Sequence, residues 1–138
     1  MTLIQIANDL LIAAELIQSG YYVGVETSQP ANLLGATTVK VTGVVQEGGP
    51  VADAVCRLYI QASNDLIQWT TRHSQDLPAA PDVPSAFESP VGGGLAVPFA
   101  YVRARWVLRT TVFPLEGCPS MISPNSYYVI TAHLHTSR

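Results

Sequence analysis

His73, Ser74 and Asp76 place the three side chains of a hydrolase triad within four positions. The chemistry would be nucleophilic, a serine hydroxyl activated by an imidazole that a carboxylate orients. Neighbouring residues on an extended chain point apart, and a working triad is set by geometry rather than adjacency. The chain has no Gly-x-Ser-x-Gly elbow, so the stretch reads as the end of a strand entering a loop. His133 and His135 are two apart and share one face of a strand, a spacing that suits a metal. A metal site needs a third ligand that the sequence does not supply, so these read as solvated or interface histidines. Gly92-Gly93-Gly94 is followed by no lysine and opens no helix, so it is a bend and not a phosphate loop. The carboxylates are scattered, several of them in turns, as Glu47 and Asp65 are. No catalytic residue, metal ligand or cofactor is expected, and the chain reads as a non-enzyme.

The remaining chemistry is that of Tyr101, Arg103, Arg105 and Arg109, which line one face of a single strand candidate. Arginine forks grip carboxylates and phosphates through two hydrogen bonds, which would suit an anion or a carbohydrate. Arg and Tyr are also enriched where subunits meet, while Lys and Glu are depleted there. Composition favours the second reading. Only 12% of the 138 residues are charged, against about 25% in an average soluble domain. One lysine, Lys40, stands beside six arginines, with six Tyr and two Trp. A surface so poor in charge suits a protein covered by other subunits, so copies of itself and other structural proteins are the expected partners. The net charge of -3 argues against nucleic acid.

These side chains need strands to hold them. Phe99 to Arg109 turns Ala100, Val102, Ala104, Trp106 and Leu108 one way and the tyrosine and arginines the other. Thr37 to Gln46 is rich in β-branched residues, with Val39, Val41 and Val45 on one face. Cys56 to Ala62 sends Cys56, Leu58, Ile60 and Ala62 inward and Arg57, Tyr59 and Gln61 outward. Ser63-Asn64-Asp65 is a turn, and Leu66 to Arg72 is the return arm of a hairpin, with Trp69 sharing a face with Ile67. Ser126 to Leu134 closes the chain with Tyr128, Ile130, Ala132 and Leu134 on one side. Tyr21 to Glu26 is a further short strand. Trp69 and Trp106 are both expected in the core. With 48% apolar residues, one domain over residues 1–138 can bury a core. Short strands separated by turn signals predict an all-β sandwich or jelly roll.

Two regions depart from that pattern. Leu3, Ala7, Leu10, Ala14 and Ile17 recur at helical spacing, so residues 1–20 are read as an N-terminal helix or arm, although a buried strand also fits Leu10–Ile17. The apolar run is interrupted by Asn8, Asp9 and Glu15 and falls short of the ~20 residues that span a bilayer. No basic stretch precedes it, so no membrane and no signal peptide are expected, and synthesis in cytoplasm follows. Residues 74–98 hold five prolines and three consecutive glycines and are read as a long loop. Phe87 is its largest apolar side chain and is expected to seat in a pocket of an adjacent subunit. Residues 113–125 form a second proline-bearing loop. Cys56 falls on an apolar alternation and Cys118 in a Gly-Cys-Pro turn, and a reducing compartment disfavours a bridge between them.

Gln61-Ala62-Ser63-Asn64-Asp65-Leu66-Ile67-Gln68-Trp69-Thr70, followed by Phe99-Ala100-Tyr101-Val102-Arg103-Ala104-Arg105, resembles a recurring β-sandwich pattern. A strand ends in Ser-Asn-Asp, a tight turn follows, and Trp sits on the return. The pattern is similar to discoidin-like carbohydrate-binding domains and to small β-sandwich structural proteins of tailed bacteriophages, over residues 37–109. The usual glycine after Ser-Asn-Asp is Leu66 here, which puts the shape of that turn in question. The long loops carry Pro and Gly with few aromatics, which suits the phage version better. The resemblance then implies a virion component, a capsid decoration, cement or tail-associated protein, without catalysis. A carbohydrate-binding module is the alternative.

Overall fold

The alternating segments become strands, residues 66–69 excepted. In a computed structural model, which describes residues 2–13, 15–18, 21–48, 54–80, 83–110 and 127–138, the elements are β1 (Thr2–Ala13), β2 (Glu15–Gln18), β3 (Tyr21–Thr27), β4 (Ala31–Asn32), β5 (Thr38–Gly48), β6 (Ala54–Ser63), β7 (Thr70–Asp76), β8 (Ser85–Ser89), β9 (Leu95–Ala96), β10 (Tyr101–Thr110) and β11 (Tyr127–Ser137). They form two sheets, one in the order β1-β11-β5-β8 with β9 on β5, the other β2-β3-β10-β6-β7 with β4 on β10. Every pairing is antiparallel. Between the longer strands the chain changes sheet at each step except β6 to β7. That winding is a jelly roll, two sheets closed over one core.

The core is what period two predicts for a sandwich. Val39, Val41 and Val45 of β5, Cys56, Leu58, Ile60 and Ala62 of β6, Val102, Ala104, Trp106 and Leu108 of β10, and Tyr128, Ile130, Ala132 and Leu134 of β11 are all buried. Tyr128 carries its hydroxyl to the rim, donating to Glu47 Oε2 at 2.8 Å.

Four expectations are corrected. The N-terminal segment is strand, not helix: β1 pairs with β11 from Thr2↔Thr136 to Ala13↔Tyr127. Its register shifts twice, between Gln5 and Ala7 and between Ala7 and Leu10, and Asp9 adopts φ 48°. Each bulge inserts a residue, so inward positions fall three apart instead of two, which imitates helical spacing. The stretch 74–98 is not one loop: it contains the end of β7, and then β8 and β9, both paired with β5. Phe87 of β8 is buried in the chain's own core and is not offered to a neighbour. The return arm of the hairpin begins at Thr70, so residues 66–69 belong to the turn; Ile67 is 81% exposed and Trp69 is half-buried, outside the core. The second loop, with Cys118, lies outside the described residues.

The turn after β6 explains the leucine that replaces glycine. Ser63 Oγ accepts from the amides of Asp65 and Leu66, and Asp65 Oδ1 accepts from those of Ile67 and Gln68. These bonds lower the Asp65 pKa, those from Gln68 and Ile67 most. They also force Leu66 to φ 64°, where a Cβ costs about 1–2 kcal/mol. Leu66→Gly is therefore expected to leave the fold intact and raise stability by up to about 1 kcal/mol, after subtracting the flexibility glycine adds to the unfolded chain. A lowered melting temperature for this variant would mean that the Leu66 side chain, though 46% exposed, holds the turn.

Candidate functional site

The outward face of the second sheet gathers the side chains that the sequence singles out, and adds others from neighbouring strands. Arg103 of β10 is the register partner of Gln61 on β6, Arg105 that of Tyr59, and Arg109 that of Val55. On β10's other side Thr27 of β3 stands opposite Arg105. Beyond β6, Tyr59 faces Ser74 and Arg57 faces Asp76 on β7. Arg57, Arg103, Arg105 and Arg109, four of the chain's seven basic residues, thus share one face.

Each arginine is held differently. Arg103 donates from Nε to Gln61 Oε1 at 2.9 Å and lies 4.1 Å over the ring of Trp69. The stack is a cation–π contact that fixes the guanidinium plane. Burial lowers its pKa, and the neighbouring Arg105 charge adds to that. Arg105 Nε is buried and has no hydrogen-bond partner among the described residues. Arg57 is held by Asp76, Nη1 to Oδ1 at 2.7 Å, and by Ser74 Oγ at 2.9 Å, and it sits over Tyr59. Between Arg57 and Arg109 lies a hollow of about 200 Å3 with Val55 and Val107 in its lining. At the upper end Arg72 covers Phe99 at 5.4 Å. The arrangement can receive an oxyanion flanked by aromatic and apolar surface, and among the described residues it pairs no nucleophile with a base.

The triad letters separate in the structure. Ser74 and Asp76 both serve Arg57, while His73 turns to Gln75 Oε1 at 3.3 Å. His133 and His135 lie on the outer face of the first sheet, where His135 Nε2 shares a 2.7 Å hydrogen bond with Thr42 Oγ1 beside the Lys40–Glu88 ion pair. Among the described residues no group of three His, Cys, Asp or Glu could hold a metal. Gly92 to Gly94 lie in the bend between β8 and β9, with Gly94 close against Thr38. Sequence reasoning missed Gln61 and Trp69 as partners of Arg103. The outward phase of Gln61 was visible in β6; the place of Trp69 depends on a turn that the alternation does not encode.

Under the arginine face, Cys56 is fully buried, and burial, with a smaller contribution from Asp76, pushes its pKa up from 9.0 to about 12. Burial and then the Glu47 contact likewise raise Tyr128 above its ordinary value. Below about pH 9 both folded and unfolded chains keep the thiol proton. As pH rises from about 9 to about 12, the unfolded chain loses it first, so stability falls across that window. The urea midpoint should drop with pH above about 9, and Cys56→Ala should flatten the early part of the fall. An identical slope in that variant would exclude the thiol as its cause.

No family model matches the chain. No curated protein matches its sequence. Among solved structures, a structure of infectious bursal disease virus, Gx strain, superposes with a TM-score of 0.53 at 12% identity over 96% of this chain and 30% of that one. A crystal structure of the infectious bursal disease virus VP2 subviral particle gives 0.50 at 12% identity over 96% and 31%. A structure of the Gt strain gives 0.50 at 13% identity over 96% and 30%. This chain therefore spans less than a third of the length of those chains, and at such identity the likeness is one of fold, a two-sheet sandwich shared along nearly the whole of this chain.

Proposed function

We propose that this chain is a non-enzymatic structural subunit of a virus particle, built into a protein shell by contacts with copies of itself and with other structural proteins. The observation that carries the reading is the jelly-roll winding together with its match, over 96% of the chain, to structures that include a subviral particle. The surface poor in Lys and Glu supports it, as does a sheet face bearing Tyr101, Arg103, Arg105 and Arg109. Its finer setting is a tailed bacteriophage, as a decoration, cement or tail-associated protein made in the host cytoplasm, which rests on the hairpin resemblance. A glycan-binding module is the second reading, favoured by the half-buried Trp69 beside Arg103. Electron microscopy and sedimentation of the purified chain, alone and with co-expressed particle proteins, test the first. Assemblies or particle-bound protein are expected. A chain that stays monomeric and unbound in both, while a glycan array returns a saturable hit lost in Arg103→Ala, would replace it with the second.

A further inference from the structure

A sandwich of two open sheets has four edges, and an edge leaves backbone N–H and C=O groups for another chain to pair with. Among the described residues three of the four are guarded. One side of the second sheet ends in β2 and β4, four and two residues long, with Glu15 on β2 and Glu26 on the stretch of β3 that β2 leaves uncovered. Its other side ends in β7, which carries Arg72 and Asp76 and lies across a register shift of β6. In the first sheet β8 and β9 are short, and Pro84 and Pro90 flank β8. The Glu88 carbonyl of β8 already accepts from Gln75 Nε2 of β7 at 2.8 Å, which ties the two sheets together along that side.

The fourth edge is the first half of β1. Thr2 to Asn8 holds no charge and no proline. Thr2 to Gln5 keep unbroken register with β11, and the bulges start only after Gln5. β1 ends its sheet, and among the described residues no backbone group pairs with its outer side. The internal segments outside the described residues leave from Ala13, Gln18, Gly48, Ala80 and Thr110, at the far end of the strands from Thr2. Apolar surface follows the same edge. Ile4 and Ile6 pack against the core and yet stay half-buried, whereas Leu134, the register partner of Ile4, is 2% exposed. On the outer face Leu3 is 58% exposed. Beside Ile4 the structure opens into a hollow of about 550 Å3 with Leu33, Leu34 and Ala36 in its lining. What completes such an edge is an extended, uncharged segment that brings apolar side chains on its inward phase. The first half of β1 is itself such a segment, and a twofold axis brings two copies of it together antiparallel with every contact made twice.

Resting on the shell-subunit reading, we infer that two copies pair edge to edge through Thr2–Ile6 of β1, antiparallel about a twofold axis. The first sheets of both copies then run on as one, and Ile4 and Ile6 of each copy cover those of the other. The same surface serves both sides of such a contact, so it stops at a pair, and the dimer is the unit from which a shell is built. The paired segment carries no charge, so added salt does not weaken it.

The test uses the full chain and two variants of it, Leu3→Lys/Gln5→Lys and Leu3→Glu/Gln5→Glu. Both positions are exposed, so each variant is expected to fold, which circular dichroism and melting establish. Sedimentation velocity should show the parent chain as a dimer whose share grows with concentration and does not fall between about 0.05 M and 0.5 M salt. Amide exchange over Thr2–Ile6 should slow as that dimer forms. Each variant alone should associate about 30-fold more weakly or worse, because like charges meet across the axis. Mixed, the lysine and glutamate variants should form a one-to-one pair, since one strand serves both sides of the contact. A parent chain that associates with exchange over Thr2–Ile6 unchanged, and variants that associate as well as it does, would overturn the edge pairing and leave the subunit reading standing. A parent chain that stays monomeric at every concentration would also overturn it, and the subunit reading would fall with it only if co-expressed particle proteins failed to bind the chain. Slowed exchange over Thr2–Ile6 that appears only when another particle protein is added would give the edge to that protein instead of a second copy.

Discussion

Replacing Trp106 with alanine is expected to cost about 3–5 kcal/mol, a large part of the 5–15 kcal/mol that holds a domain of this size together. The indole is fully buried in the middle of β10, between Glu26 of β3 and Leu58 of β6 in register, and is the largest side chain in the core. Its removal empties space that two sheets built from backbone ladders cannot close. Trp106 Nε1 has no hydrogen-bond partner among the described residues, and an unmet buried donor costs about 1–3 kcal/mol. Trp106→Phe removes that donor along with part of the volume, so it should cost well under half as much as the alanine variant. Trp69→Ala should change stability by about 1 kcal/mol, since it loses only a half-exposed stack with Arg103. Urea midpoints of the three variants rank them, and acrylamide should quench Trp69 and spare Trp106. An alanine variant at Trp106 with the parent's midpoint would mean the inner face of β10 is misassigned.

The two tryptophans mark where the sequence was legible and where it was not. Trp106 sits in a run that alternates from Ala100 to Trp106 before Val107 interrupts it, and a pattern of that length fixes the face of the side chains in it. The same holds for β5, β6 and β11, and with them for the outward phase of Tyr101, Arg103, Arg105 and Arg109. Trp69 lies at the end of a turn whose length the sequence does not declare, and one residue of slip moves a side chain to the other face. The N-terminal strand was hidden by its own bulges, which turned a period of two into spacings of three. β8 was hidden by proline. Pro84 and Pro90 bracket Ser85–Ser89 without entering it, and β8 is the edge of its sheet, where flanking proline is tolerated. The arginines of the candidate face could be read from one strand. What holds them could not, because Gln61 and Trp69 reach Arg103 through pairing between strands far apart in sequence.

Phe87→Ala is the second large expected effect, and the reason begins on a different strand. The inward series on β5 runs Val39, Val41, then Gly43, then Val45. A glycine in that phase leaves a hole in the core at the centre of the first sheet. Gly43 pairs with Ala132 on β11 and with Phe87 on β8, so one neighbour is small and the other must fill the space. It does: a Cβ built on Gly43 would come within 2.9 Å of the Phe87 ring and would also meet the Thr131 carbonyl oxygen. Phe87→Ala should therefore cost about 3–5 kcal/mol of monomer stability. Gly43→Ala should also destabilise, by about 1–3 kcal/mol or more, because the ring and the carbonyl must both give way. The two sites touch, so their effects should not add. In Gly43→Ala/Phe87→Leu the smaller side chain relieves the ring contact but not the carbonyl, and the double variant should recover part of the loss and no more. If Phe87→Ala instead left the urea midpoint unchanged while weakening association between copies, the ring would belong to a neighbour's pocket, and the pairing of β8 with β5 would have to be redrawn.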